Sequence, residues 1–357
     1  MTPPASGLPS ATLPAEVRAT LALHADPAAG RFAGASSIAA LLFLLDRARE
    51  GDDDAARLAL AVLRRTPGDG LPPAAAAAEA AVHVAAVELK RDDGLEKTAR
   101  AAVDAALAAF GWNAENDEGD DRERSAIHSP RDREGDPSDE RRRIHFVAAE
   151  DARGGLGGAP LAPPSPMDDK GTDAHGLMIA TLARASRTFD APGYREAASR
   201  AGARALDHRV DAKTGALLHV GGESTRAAGL GDYALLVRGL LELLPATGEK
   251  GWLHEAVRLQ GEQEERLWDV GEGGYFESPE DAGRTARKHG SDGTFLSGNG
   301  VSTLNLIDLS RLTGERSYRD RAEGVLRAFA AEIAKEPLAH LTLLRAAQRF
   351  ARTSYAA

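Results

Sequence analysis

Between Gly231 and Leu244, the residues Tyr233, Leu236, Val237, Leu240, Leu241 and Leu244 recur at i, i+3, i+4, i+7, i+8 and i+11. That spacing gathers them on one face of an α-helix, with Asp232 where an N-cap belongs. Pro245 and Gly248 are expected to stop this helix, and a second is predicted from near Trp252 to Trp268. So short a turn makes an antiparallel helical hairpin, closed by a short extended piece over the Gly-rich GEGGYF that ends at Phe276.

The unit recurs. Its turn and aromatic residue appear as DAPGYREAASRA around Tyr194, GEKGWLHEAVRL around Trp252 and GERSYRDRAEGV around Tyr318. Weaker copies start at Leu41 and Ala80. A repeated helical pair can bury its apolar face only against its neighbours, so repetition is the main fold signal. Hairpins are expected at about 36–65, 73–110, 176–207, 230–268 and 299–335, with a first helix from Ala15 to Leu23 and a last at about 338–351. Twelve helices in six pairs predict an all-α fold, an (α/α)6 barrel over 14–351. Its inner helices should be apolar nearly all round, as LMIATLA from Leu177 and LNLIDL from Leu304 are.

Two stretches break the pattern. Residues 1–13 are rich in Pro, Ser and Ala and are expected to lack fixed structure. From about 112 to 166 the chain is charged and rich in Gly and Pro, too poor in apolar residues to offset its ordering entropy. It reads as a disordered, mobile insertion within the barrel, with one short strand expected at IHFVA (Ile144 to Ala148). GGLGGAP from Gly154 has no strand–loop–helix setting and no following Lys-Ser/Thr, so it reads as a plain loop rather than a phosphate cradle.

Composition narrows the function. A formal charge of −10 and a pI near 5.6 disfavour nucleic-acid binding, and Arg141, Arg142 and Arg143 are flanked by Asp139 and Glu140. There are no cysteines, hence no disulfide or thiolate chemistry. The first residues have neither a basic nor an apolar signal region, and IAALLFLL from Ile38 is far shorter than the roughly 20 residues of a membrane span. A soluble cytoplasmic protein is the expectation.

A set of polar elements punctuates the second half: Asp168-Asp169-Lys170 before GLMIATLARA, Asp232-Tyr233 with GLLELL and its ATG turn, LWD…GGYF (Leu267 to Phe276), and Asp292-Gly293 with Ser297-Gly298-Asn299. In this order across about 165–335 they resemble the barrel of the thioredoxin-domain-containing spermatogenesis-associated protein family; upstream, only DPAAGRFAGA from Asp26 does. The resemblance implies a six-hairpin barrel of the glycosidase and N-acylglucosamine 2-epimerase type. The chain departs from it in three respects. No CxxC precedes the barrel, Ala174-His175 stands where the family has Trp-Asn, and alanines fill about 73–83 where the family has polar and aromatic residues.

Each matched group lies just before or at the start of a helix expected to be inner, so Asp169, His175, Asp232, Asp292 and Asn299 could converge at one mouth. Carboxylates there suit proton transfer on a hydroxyl-rich ligand, with Asp168, Lys170, Tyr233, Ser297 and Asn299 as binding groups. Capping alone would also select Asp, Ser and Asn at helix starts, at about 1 kcal/mol each. His175 and His289 are the only histidines near these elements; imidazoles can shuttle a proton near neutral pH, though a loop His is more often plain surface. His83, on the alanine-rich helix, reads as packed or surface. No metal-binding spacing such as His-Glu-x-x-His occurs, so neither metal nor cofactor is expected. Of the three Trp, Trp252 and Trp268 belong to a hairpin and only Trp112 is free for a sugar face. Two readings follow. One is a carbohydrate-type site, epimerase-like or glycosidase-like, with Asp169, Asp232 and Asp292 as acid–base groups. The other is a catalytically silent barrel serving as a protein-binding or scaffold subunit.

Overall fold

Apolar stripes on consecutive helices are buried when the helices pack side by side with the stripes facing inward. The computed structural model describes residues 13–26, 31–32, 37–63, 71–112, 171–211, 213–219, 226–279, 288–293 and 296–353. The expected disordered N-terminus, mobile insertion, strand at IHFVA and GGLGGAP loop fall on residues outside these, apart from Leu13 and Trp112.

Helix α1 (Leu13–His24) precedes a two-residue antiparallel pair, β1 (Ala25–Asp26) and β2 (Arg31–Phe32). Then come α2 (Ser37–Arg49) and α3 (Asp53–Leu63), α4 (Pro73–Leu89) and α5 (Asp93–Phe110), and α6 (Thr172–Thr188) and α7 (Pro192–His208). They are followed by α8 (Leu230–Thr247) and α9 (Gly251–Leu267), α10 (Gly298–Thr313) and α11 (Arg316–Ala328), the short α12 (Ala330–Lys335), a 3-10 turn (Pro337–Ala339) and α13 (Leu341–Thr353). Packing closes the ring: α2 meets α4, α4 meets α6, α6 meets α8, α8 meets α10, α10 meets α13, and α13 returns to α2. Each of α3, α5, α7, α9 and α11 lies outside its own inner partner. The fold is the expected (α/α)6 barrel. Its sixth position is not a hairpin in sequence, because α13 comes from the C-terminal end while α1 stands outside, touching the 3-10 turn and reaching Asp52 and Asp54 at the start of α3 through Arg18.

Local chemistry sets the helix ends. The Asp92 carboxylate caps α5, accepting from Gly94 N (3.0 Å) and Leu95 N (3.1 Å). Gly111, Gly248 and Gly314 end α5, α8 and α10 in the left-handed region that favours glycine. Two sequence expectations shift here. Pro245 does not stop α8 but sits in its last turn, where only one backbone bond is lost before Gly248 ends the helix. Asp232 is not the N-cap, since α8 begins at Leu230; it is the third helical residue and accepts from Gly229 N at 2.9 Å, as the acidic partner of a capping box does.

The core follows the ring. On α10 every residue from Asn299 to Leu309 is buried, and on α6 nearly all are. Alanine lets α4 sit close to its neighbours, with Ala77, Ala80, Ala85 and Ala86 fully buried. Where α6 and α8 touch there is room for no side chain at all. A Cβ on Gly239 would lie 2.8 Å from Gly176 O, and one on Gly176 would collide with the backbone of Leu235 and Leu236. Trp252, fully buried on α9, fills the space above Gly202 of α7. His83 is buried, as expected for a packed residue.

The six inner helices run parallel. Their starts touch one another, α6 to α8 through Asp173 and Asp232, α8 to α10 through Leu230 and Gly298, and α10 to α13 through Gly300 and Thr342. Their far halves are joined by ion pairs. The barrel therefore has an N-terminal mouth and a C-terminal mouth of different chemistry.

Candidate functional site

At the N-terminal mouth the chain between α7 and α8 is folded back on itself by isolated bridges, Val210 with Leu217 and Leu218 with Ala227. This turn is anchored to the start of α6: Thr172 N donates to His219 O at 2.8 Å, and the Thr172 hydroxyl bonds Leu218 O and His219 O at 2.5 and 2.7 Å. The buried Arg209 donates to His219 O and to Thr172 Oγ1, each at 3.1 Å. So held, His219 brings Nδ1 to 2.7 and 2.9 Å from the two oxygens of Asp232. A carboxylate only accepts, so Nδ1 carries the proton and Nε2 is left as the basic nitrogen.

Asp173 completes the group. Its backbone N–H donates to Asp232 Oδ1 at 3.1 Å, and ligand atoms of Asp173, His219 and Asp232 all lie within 4.8 Å of one another. Burial first, and then the negative charge of Asp232, push the Asp173 carboxyl above the ordinary carboxylate range. The cluster thus unites a proton acceptor oriented by a carboxylate with an acid inclined to keep its proton, the pairing that acid–base chemistry needs. The same three groups could hold a divalent cation, since each offers a ligand atom.

The residues singled out in the sequence divide sharply. Asp168, Asp169 and Lys170 lie outside the described residues, directly before Gly171. Asp232 is in the cluster. His175 is not: it is buried, with Nδ1 3.1 Å from Gly171 O and Nε2 3.3 Å from Arg209, and it packs on Phe110 and Trp112. Trp112, expected to be free, is likewise buried against these rings, and Trp268 packs on Tyr275. Tyr233 is buried with its hydroxyl on Glu262 at 2.7 Å.

Asp292, Ser297 and Asn299 stand at the same mouth but bond to backbone. Asp292 accepts from Ser297 N and Thr342 N, both at 2.9 Å, and burial raises its pKa. Ser297 caps α10 by accepting from Gly300 N. The fully buried Asn299 accepts from Tyr275 N (2.8 Å) and donates to Tyr275 O and His289 O (3.0 Å each). His289 itself is exposed. The acidic rim therefore shares one end of the barrel, while only Asp232 meets other titratable groups in a cluster. His219 is hidden in the sequence because the turn that delivers it has no recognisable motif, and Asp173 because it reads as an ordinary acidic residue in the first turn of a helix.

At the opposite mouth, a cavity of about 760 Å³ runs from mid-barrel to the C-terminal ends of the inner helices. None of Asp173, His175, His219, Asp232, Asp292 or Asn299 lines it. Its walls are leucines and alanines near the middle and seven arginines with four carboxylates towards the outside.

The fold is that of solved (α/α)6 barrels. Across 96% of both chains it superposes on a GH76 α-mannanase of Bacteroides thetaiotaomicron with a TM-score of 0.60 at 10% identity. It matches a D-mannose isomerase with a TM-score of 0.55 at 13% identity, over 92% of this chain and 87% of that one. In sequence the chain is similar to spermatogenesis-associated protein 20, at 41% identity to the Homo sapiens protein and 40% to the Rattus norvegicus protein, each over 120 residues. That match covers 33% of this chain and spans 15% of the length of those relatives. No protein-family model matches the chain.

Proposed function

We propose that the N-terminal mouth binds a carbohydrate-type ligand beside Asp173, His219 and Asp232, and that this cluster transfers protons as an epimerase or isomerase does. The observation behind this reading is the His219 imidazole seated on both oxygens of Asp232 with Asp173 in reach. His219 Nε2 would take the proton from the carbon next to an open-chain sugar carbonyl. Asp173 would give its proton to the carbonyl oxygen, leaving a neutral enediol. Asp232 would offset the charge gained by the imidazole. Return of the proton to the same carbon from the other face, with the enediol oxygen giving its proton back to Asp173, gives the epimer; delivery to the former carbonyl carbon, with the adjacent enediol hydroxyl giving its proton to Asp173 as the ketone forms, gives the isomer. Solved barrels of this shape include an α-mannanase and a D-mannose isomerase, which supports a sugar as the ligand class. Asp168, Asp169 and Lys170, next in sequence to Gly171, would add binding groups at the same mouth.

Two observations favour the second reading, a silent barrel that binds protein. Alanine stands along α4 where the resembling family has polar residues, and His175 is bound into the core by Arg209 and Gly171. The two readings separate by titrating mannose, glucose and N-acetylglucosamine against the thermal unfolding midpoint of the protein, His219→Ala and Asp173→Asn. A sugar-dependent rise in the protein that both variants lose is expected. If no sugar shifts the midpoint, the carbohydrate site is wrong and the scaffold reading stands.

A further inference from the structure

The carboxylates at the C-terminal mouth are already saturated. Asp46 pairs with Arg49 (2.9 Å) and Arg345 (2.8 Å), and Glu88 with Arg49 (2.6 Å) and Arg184 (2.5 Å). Glu242 takes Arg187 and Arg238 at 2.5 and 2.6 Å. Asp308 takes Arg238 at 2.7 Å and Arg349, with Arg311 at 3.7 Å. Four acids thus serve seven guanidiniums, and each guanidinium has five N–H donors against about four lone-pair sites on a carboxylate. The mouth is left with surplus positive charge and unused donors, on a chain whose formal charge is −10.

Helix ends alone do not account for this. Arg49, Arg187 and Arg311 lie in last turns, where a cation answers the negative end of the helix dipole. Yet Arg49 and Arg187 spend their bonds on Asp46 one turn back, on Glu88 and Glu242 of neighbouring helices, and on Ala85 O and Ala183 O, not on the last carbonyls of their own helices. Arg238 sits in the middle of α8 and Arg345 in the second turn of α13, neither at the C-terminal end of its helix. Burial lowers the pKa of Arg349 against the opposing pull of Asp308, and the like charges of Arg238 and Arg311 act in the same direction as burial. Behind the guanidiniums the wall is apolar, with Leu177, Leu235, Val301 and Leu304. The volume of about 760 Å³ falls within the roughly 300–1,000 Å³ of small-molecule pockets.

We infer that this cavity is a second ligand site, for a small organic oxyanion whose phosphate or carboxylate head is gripped by Arg311, Arg349 and Arg187 and whose apolar body rests on the leucines. Guanidinium forks match both kinds of head, and a charge-assisted bond is about twice as strong as a neutral one. The head supplies the acceptor that the four carboxylates lack. The site lies at the opposite end of the barrel from His219, so it stands whether or not a sugar binds there.

Calorimetric titration of the full chain with phenyl phosphate, benzoate and inorganic phosphate tests this. Saturable binding of phenyl phosphate or benzoate is expected, and the tighter of the two identifies the head. Arg311→Gln and Arg349→Gln should each weaken it about tenfold, the loss of one good charge-assisted contact, while His219→Ala leaves it unchanged. Arg311 is 62% exposed and among the described residues has only the 3.7 Å contact to Asp308, so its replacement keeps the test valid should Arg349→Gln fail to fold. Absence of saturable binding, or undiminished wild-type affinity in both arginine variants, overturns the site. Inorganic phosphate binding as tightly as phenyl phosphate overturns the apolar half.

Discussion

Two residues at the same mouth do opposite work. Asn299 is fully buried and satisfies the backbone of Tyr275 and His289 with three bonds of 2.8 to 3.0 Å. Asn299→Ala leaves those groups unmet at a cost of about 3 kcal/mol, to be read from the urea midpoint. Asp173, by contrast, has its pKa raised by burial and by Asp232. The unfolded chain gives up this proton first, so ionisation favours unfolding as pH rises from the unfolded value through the folded one. Below that window the penalty is absent; above it, it is fully present. Asp173→Asn removes it, and its amide oxygen can still accept from Ala174 N, as Asp173 does at 2.7 Å. The variant should therefore unfold at a higher temperature than the wild type at neutral pH, the gap closing in acid; an equal gap at all pH values would refute the assignment. Such differences were hidden in the sequence. Asp232, Asp292, Ser297 and Asn299 share polar identity and helix-start position, and only the turn that carries His219 decides which one meets another titratable group.

The same contrast holds for glycines within helices. In free space, Gly→Ala inside a helix gains roughly 0.5–1 kcal/mol, because glycine loses more backbone entropy on folding. A Cβ added to Gly261, exposed on α9, would meet nothing within 4 Å, so Gly261→Ala should stabilise by about that amount. Gly176 is pressed against the backbone of α8, which cannot rotate aside as a side chain could. Overpacking costs about 1–3 kcal/mol or more, which exceeds the propensity gain, so Gly176→Ala should destabilise. Paired denaturation curves of the two variants check both signs. The periodicity of apolar residues revealed α6 and α8 and their inner positions, because helix burial follows a 3.6-residue repeat whatever the partner. It did not reveal that these two helices approach to backbone contact, since a glycine in a helix reads alike whether it faces solvent or another helix.

Ring closure is the property that belongs to the molecule as a whole. Self-similar hairpins show in the sequence that a ring or a solenoid will form; the choice between them depends on contacts between residues far apart along the chain. Arg345 of α13 reaches Asp46 of α2 across 299 positions at 2.8 Å, and Asp46 also holds Arg49. Burial alone would raise the Asp46 pKa, but Arg345 and Arg49 outweigh it and hold the carboxyl below its ordinary value. A depressed acid stabilises the fold above its unfolded pKa, and that contribution is lost as pH falls through the folded value. Asp46→Asn removes the charge while keeping the shape, and leaves two guanidiniums at the seam short of an acceptor. A loss of about 1–3 kcal/mol at neutral pH follows, shrinking in acid as the wild type protonates. Asp54→Asn is the control: its carboxylate is 57% exposed in its pairs with Arg57 and Arg18, where such contacts contribute about 0–1 kcal/mol each. Urea titrations should show a lower midpoint for Asp46→Asn with an unchanged slope, because the ring still buries the same surface once closed. Equal midpoints for the two variants would mean that apolar packing alone holds α13 against α2.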